Sequence, residues 1–348
     1  VTPGKIRITR LQGSPEERGR LHGEVHREGI RRYTEERVKL AANGSWAGRP
    51  ATVADVLALA EEMIPAHRAY APDLTIEMEA MARAAGISAA EAIIVGGFTD
   101  FVDAVRALGA TNPAEEDDCT AILTRDYLCQ TWDMHDTATQ HVVMLDVRDE
   151  PSALVFTTEG CLAQIGMNAH GIAIGINNLA AKDGRVGVTW PLVVRKVLQC
   201  KTIEAALSCI VDAPLAGAHN YLLLDAKGNG YNVEAMPTHS AITPLGAAPL
   251  VHTNHCIDAE ATARQAERAP SLLESSHERL HRAVCVAPAS FDLEALLRLT
   301  RDPVICRRSE PPYHIESSGA VIMRPGTLDL WAVWGIPADH AFEQFRVA

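Results

Sequence analysis

Cys119 stands where an acidic run stops and an apolar run begins, in Glu115-Glu116-Asp117-Asp118-Cys119-Thr120-Ala121-Ile122-Leu123. A cysteine in that setting is either a small hydrophobe in a strand or a nucleophile. The second role needs a base or a lowered pKa, because a thiol is mostly protonated at neutral pH. Cleavage of the peptide bond before Cys119 would supply the base from the same residue: the freed α-amino group has an unperturbed pKa of about 8.

Other stretches carry groups suited to acyl chemistry. Asp133 closes Gln130-Thr131-Trp132-Asp133, Asn254 lies inside His252-Thr253-Asn254-His255-Cys256, and Arg307 follows Ile305-Cys306. Each also has an ordinary reading, as a strand-ending aspartate, a turn asparagine and a surface arginine beside Arg308. Two clusters hold ligand-type atoms, His252 with His255 and Cys256, and His135 with Asp133 and Asp136. In a strand His252 and His255, three apart, point to opposite faces, and no CxxC or second HxH supports them, so no metal is expected.

Taken together, Cys119-Thr120, Trp132-Asp133, Ile165-Gly166-Met167-Asn168, Val251-His252-Thr253-Asn254-His255-Cys256 and Ile305-Cys306-Arg307 resemble, in order and approximate spacing, the acyl-coenzyme A:6-aminopenicillanate acyltransferase (isopenicillin N acyltransferase) family, peptidase family C45 of the N-terminal nucleophile (Ntn) hydrolases. The resemblance runs from Gly13-Ser14-Pro15 and His22-Gly23 to Leu328-Asp329-Leu330-Trp331. It implies an α+β fold, the four-layer αββα sandwich of Ntn hydrolases, preceded by a mostly helical N-terminal segment. It also implies self-cleavage between Asp118 and Cys119, giving a helical fragment 1–118 and a catalytic domain 119–348.

Within that resemblance Cys119 matches the nucleophile, Asp133 an acid that fixes the new amino group, Asn254 the oxyanion donor, and Arg307 an arginine that orients Asp133 or binds a substrate carboxylate. The implied activity is hydrolysis or formation of a small-molecule amide through an acyl-thioester on Cys119, with no cofactor. An acyl-coenzyme A thioester would enter as a substrate, and no substrate-binding residue is singled out. The alternative is an unprocessed, inactive relative that binds a small ligand. Two departures stand out: the fungal enzymes have glycine where this chain has Asp118, whose side chain restricts the backbone at the acyl shift, and Glu234-Ala235-Met236-Pro237 replaces a serine-containing stretch, against penicillin acylation in particular.

With 47% apolar residues the 348-residue chain can bury a sizeable core. The net charge of -12 and the absence of a basic run argue against nucleic acid or a membrane surface as partner. It hints at cationic or neutral substrates, although net charge need not describe a pocket. Eight scattered cysteines without a CxxC pair suggest free thiols in a reducing compartment, and without a signal-like opening or an 18-residue apolar run the expected location is cytoplasmic. The partners expected are a small amide or thioester, the cleaved N-terminal fragment, and, left open, a second copy of the chain.

The elements that must position these groups follow from periodicity. Residues 1–110 read as a short strand and then helices: one from Ser14-Pro15-Glu16-Glu17 to Ala42-Asn43-Gly44, one from Thr52 ended by Pro65, one through Leu74, Met78 and Met81, and one from Ser88 through Phe101. After Cys119 the period becomes extended, with strands at 119–124, 127–133, 141–147, 153–157 and 171–177. A helical pair runs from Pro191 to about Val211. Strands return at 220–225, 231–235, 241–244 and 249–253, residues 259–300 are helical with a start at Ser271, and a hairpin joins 319–323 to 328–334.

Overall fold

The structure, a computed structural model, describes residues 4–115, 119–286 and 291–348. Asp118, half of the expected cleavage site, lies outside the described residues. Strand β1 (Arg7–Gln12) is followed by helices α1 (Pro15–Val25), α2 (Arg27–Asn43), α3 (Val53–Tyr70), α4 (Pro72–Ala85), α5 (Ala89–Gly96) and α6 (Phe98–Ala107). Reciprocal capping boxes start three of them, Ser14 with Glu17, Thr52 with Asp55 and Ser88 with Glu91.

Three helix boundaries differ from the sequence expectation. The first helix breaks at His26, whose ring is pulled out of helical register between Thr9 Oγ1 (2.8 Å) and Glu159 Oε1 (3.0 Å). The second runs through Pro65 to Tyr70; Pro65 donates no backbone bond, but His67 ties the last turn to the Met63 carbonyl and to Thr189 Oγ1, both at 2.9 Å. The third break is at Gly97, where a Cβ would stand 2.4 Å from that of Thr189.

The remainder consists of β2 (Ala121–Leu123), β3 (Leu128–His135), β4 (Val142–Arg148), β5 (Ala153–Thr158), β6 (Ile165–Asn168), β7 (Ala173–Leu179), α7 (Trp190–Val197), α8 (Ile203–Val211), β8 (Ala218–Leu224), β9 (Gly230–Met236), β10 (His239–Pro244), β11 (Leu250–His252), α9 (Ala259–Arg264), α10 (Pro270–Val286), α11 (Leu293–Leu299), β12 (Ile315–Arg324), β13 (Asp329–Trp334) and β14 (Glu343–Arg346). The short β6 and β14 were not expected as strands, and the helical region 259–300 resolves into three helices.

Two sheets result, in the orders β1-β4-β5-β6-β7-β8-β9-β10 and β11-β2-β3-β12-β13-β14. They face each other across a clasp: Gln130 Nε2 donates to the Ile176 carbonyl at 2.9 Å while its Oε1 accepts from the Ile176 N–H at 2.7 Å. Gly175 is required beside it, since a Cβ there would lie 2.4 Å from Gln130 Oε1. On the outer face of the six-stranded sheet, Ile122, Cys129 and Ile322 bury Ala283, Leu296 and Leu299 of α10 and α11. Helix α8 lies on β8 and β9, and α4 packs on α7. The fold is therefore the four-layer αββα sandwich preceded by helices that the sequence led us to expect.

Candidate active site

β2 pairs with β3 so that Cys119 falls level with Trp132, at the start of the six-stranded sheet's inner strands. Cys119 is 3% exposed. Its backbone N–H donates to Asn254 Oδ1 at 2.6 Å, its carbonyl accepts from Arg279 Nη1 at 2.7 Å, and its thiol lies 3.9 Å from the Asp133 carbonyl.

Asn254 reaches this position because the chain leaving β11 is pinned to α10: its N–H donates to Ser276 Oγ at 2.9 Å. The side-chain amide is oriented by its neighbours. Oδ1 also accepts from Arg279 Nη2 at 3.0 Å, and Nδ2 donates to the Asn178 carbonyl at 3.1 Å. Two donors on one side and a carbonyl on the other leave one consistent assignment of oxygen and nitrogen. The acceptor end thus meets the nucleophile's nitrogen, whereas the sequence reading used the donor end.

Asp133, fully buried on β3, accepts from Ser317 Oγ at 2.6 Å and from Thr131 Oγ1 at 3.4 Å. Arg307 joins the same group through its main chain, its N–H donating to Ser317 Oγ at 2.9 Å, while its Nη1 donates to Ser275 Oγ at 2.9 Å. Arg279 Nε approaches the same hydroxyl at 3.4 Å. The four residues singled out in the sequence therefore converge from four separate segments. Asp118 is not among the described residues.

Three participants escaped sequence reading: Arg279, Ser275 and Ser317. For Arg279 a signal existed. The buried stripe of α10 is Leu272, Ser275, Ser276, Arg279 and Ala283, so a guanidinium sits on a face that otherwise holds small and apolar groups. Other buried thiols are held in the neutral form, as burial pushes Cys161 up to about 11 and raises Cys129, Cys256 and Cys306 as well. His252 is bonded to Glu234 at 2.7 Å, and among the described residues no three His, Cys, Asp or Glu side chains converge on a common point suited to a metal ion.

Beside Cys119 lies a narrow cavity whose water-accessible volume is only about 20 Å³. Trp132, Met134, Ile176 and Trp190 wall it from the sheet half, and Tyr33 and Phe98 from the helical segment before Cys119. Asn178 and His219 supply polar edges.

A family model described as acyl-coenzyme A:6-aminopenicillanic acid acyl-transferase matches residues 116–309, more than half of the chain and the stretch that contains Cys119, Asp133, Asn254, Arg279 and Arg307. The chain belongs to this family. It is accordingly an acyl-transferring or amide-hydrolysing enzyme. No curated protein matched the sequence of this acyl-transferase family member. Solved structures with a similar fold include a mutant of conjugated bile acid hydrolase from Clostridium perfringens, 11% identical, covering 67% of this chain and 97% of that one at a TM-score of 0.45. Another is penicillin V acylase from Agrobacterium tumefaciens, 12% identical, covering 62% and 82% at a TM-score of 0.36. Among the described residues of this family member, no helix is long and apolar enough to cross a membrane.

Proposed function

We propose that the protein is a self-processing cysteine amidohydrolase or acyltransferase whose nucleophile and base both belong to Cys119. The observation that carries this reading is the 2.6 Å bond from the Cys119 backbone nitrogen to Asn254 Oδ1. A nucleophile that used only its thiol would have no need for a buried side chain dedicated to its main-chain nitrogen. An N-terminal nucleophile does, because that nitrogen becomes the base.

In processing, Cys119 Sγ attacks the Asp118 carbonyl, the C–N bond breaks as the C–S bond forms, and the nitrogen takes the thiol proton. Water then hydrolyses the thioester, leaving the Asp118 carboxylate and the Cys119 amine. In turnover the amine accepts the thiol proton, Sγ attacks the substrate carbonyl, and the leaving amine or thiol departs with that proton. Water or an acceptor amine resolves the acyl-thioester. Asn254 holds the α-amine through Oδ1, and the second Nδ2 proton, beyond the one on Asn178, faces the oxyanion. Arg279 holds the Cys119 carbonyl and Asn254 Oδ1 in one geometry. Asp133, set by Ser317 and with it Arg307, bounds the thiol side.

No cofactor enters these steps, and acyl-coenzyme A would be a substrate. Residues 1–118 stay bound as a separate fragment, since Tyr33 and Phe98 complete the cavity. Eight cysteines outside any disulfide suit a reducing compartment such as the cytoplasm.

Intact-mass spectrometry of the wild type beside Cys119→Ala tests the reading. Two wild-type fragments of about 13 and 25 kDa are expected, from the 37.6 kDa mass divided by residue number, the larger starting at Cys119, with the variant uncut. A single full-length species in both, with Cys119 inert to thiol reagents, would replace this reading by an unprocessed ligand-binding relative.

A further inference from the structure

Two thiols that the acyl chemistry does not use lie side by side. Cys200, just past the end of α7, and Cys209, on α8, place their sulfurs 3.5 Å apart. Both are partly exposed, whereas Cys119, Cys129, Cys161, Cys256 and Cys306 are buried. The segments that carry them are tied in place. Asn168 Nδ2 donates to the Leu198 carbonyl at 3.1 Å and to that of Cys200 at 2.7 Å, and the Thr202 hydroxyl caps α8. The Tyr70 hydroxyl donates to the Cys209 carbonyl. Lys196 Nζ, 3.8 Å from the centre of the Tyr70 ring, donates to the Tyr70 carbonyl at 2.8 Å.

Cys209 opens onto a surface depression of about 440 Å³ that Tyr70, Lys196 and Asp212 also line. The hydrogen bond from Cys200 holds the Cys209 thiol below its ordinary pKa, helped by the Lys196 charge and opposed by burial and Asp212. The same bond, with burial, pushes Cys200 up. The Cys200 S–H has a second acceptor in the Lys196 carbonyl at 3.5 Å, but an ionised partner takes the stronger bond. One sulfur is thus set to attack and the other to follow.

We propose that Cys200 and Cys209 are a peroxide-reactive dithiol: a small hydroperoxide entering the depression oxidises Cys209, and Cys200 then closes a disulfide. The Cys209 thiolate attacks the outer peroxide oxygen, the O–O bond breaks, and the departing oxygen takes a proton from solvent and leaves as alcohol or water. Cys200 Sγ then attacks the sulfenic sulfur of Cys209. The S–O bond breaks as the S–S bond forms, and the hydroxide leaves as water with the Cys200 proton. Two thiols and one hydroperoxide give one disulfide, one alcohol and one water. The sulfurs have to close by about 1.5 Å to reach bonding distance. Neither thiol takes part in the acyl transfer proposed for Cys119.

Tryptic cleavage after Lys196, Lys201 and Lys227 places the two cysteines in separate peptides, 197–201 and 202–227, so the link can be read by mass. Folded protein is treated with hydrogen peroxide, its remaining thiols are alkylated, and it is digested. The two peptides should appear joined, two hydrogens lighter than their sum, and the link should form at least 10-fold faster than in protein unfolded in guanidinium. Cys200→Ser should stop at a Cys209 sulfenic acid that dimedone captures. Cys209→Ser should keep Cys200 a free thiol at peroxide doses that link the wild type. Cys119→Ala should form the link like the wild type, which separates this dithiol from the acyl chemistry. Separate peptides at doses that oxidise the exposed Cys285 would overturn the proposal. So would a link formed no faster in folded than in unfolded protein, dimedone on Cys200 instead of Cys209, or a link that needs Cys119.

Discussion

Asn254 presents its acceptor to the Cys119 nitrogen and one of its donors to the Asn178 carbonyl, so the two roles proposed for it can be separated. Asn254→Asp keeps the acceptor and removes the oxyanion donor. Its kcat should fall on the order of 100-fold, the loss of about 3 kcal/mol that a missing oxyanion donor brings, measured on protein that mass spectrometry shows to be cleaved. Asn254→Leu removes both functions and should leave the precursor uncut. An Asp variant with wild-type kcat would move the oxyanion site elsewhere. Cys119, Asp133, Asn254 and Arg307 could be singled out in the sequence because their short runs, each weak alone, together resemble a known family in order and approximate spacing. Ser317 and Arg279 could not be paired with them, because their hydrogen bonds join positions 184, 160 and 25 residues apart. Distance in the chain hides such partners, and the sequence alone did not say which end of the Asn254 amide would face the nucleophile.

Helix α2 shows how the elements themselves serve the site. It carries Tyr33 to the cavity and is seated by Gly29, where a Cβ would lie 1.8 Å from Glu159 Oε2. Glu159 cannot swing aside freely: its carboxylate takes bonds from Arg7 at 2.6 Å, His26 at 3.0 Å and His141 at 2.7 Å. Burial alone would raise its pKa, yet the bonds from His141 and His26 and the Arg7 charge hold it well below the usual carboxylate range. Gly29→Ala would gain about 1 kcal/mol of helix propensity, but the overpacking, about 1–3 kcal/mol, should win. The expected result is a melting temperature lower by several degrees in thermal denaturation, together with a weaker cavity wall; a stabilised variant would mean that Glu159 yields. The same cluster explains why one long helix was expected where two form. Ser14, Pro15 and the apolar spacing announce the helix start, but the break at His26 is made by Thr9 and Glu159, which lie in other elements. Likewise β6 and β14, not expected as strands, are held by pairing with other strands, β6 between β5 and β7 and β14 on β13.

Across the whole molecule, acid should act through histidines that folding holds neutral. Fourteen histidines appear in the sequence, and composition does not distinguish a surface ring from a buried one. Burial lowers His22 to about 3 and His67 to about 4 from an ordinary 6.5; their exposures are 1% and 0%. Between pH 6.5 and about 4 the unfolded chain binds protons on both rings that the folded protein does not, so stability falls as pH falls. Each ring can contribute up to about 1.4 kcal/mol per pH unit. Glu159 acts in a different window: its depressed pKa contributes stability above the unfolded value near 4.5, which is lost as pH falls through the lower folded value. Denaturant titrations at pH 6.5, 5.5 and 4.5 should therefore show a steady loss, to which His22 and His67 contribute up to about 2.7 kcal/mol per unit and His255, lowered to about 3 by its burial, adds, already evident before carboxylates titrate. His67→Gln, which keeps a donor and an acceptor for Met63 and Thr189, should cost stability at pH 7 but lower the slope by up to about 1.4 kcal/mol per unit. A flat profile from pH 6.5 to 4.5, or an unchanged slope in the variant, would mean that these rings accept protons in the folded state. Because the neutral His67 ring braces Thr189, next to the cavity residue Trp190, the residue that takes up a proton on unfolding also supports the substrate wall while the fold holds.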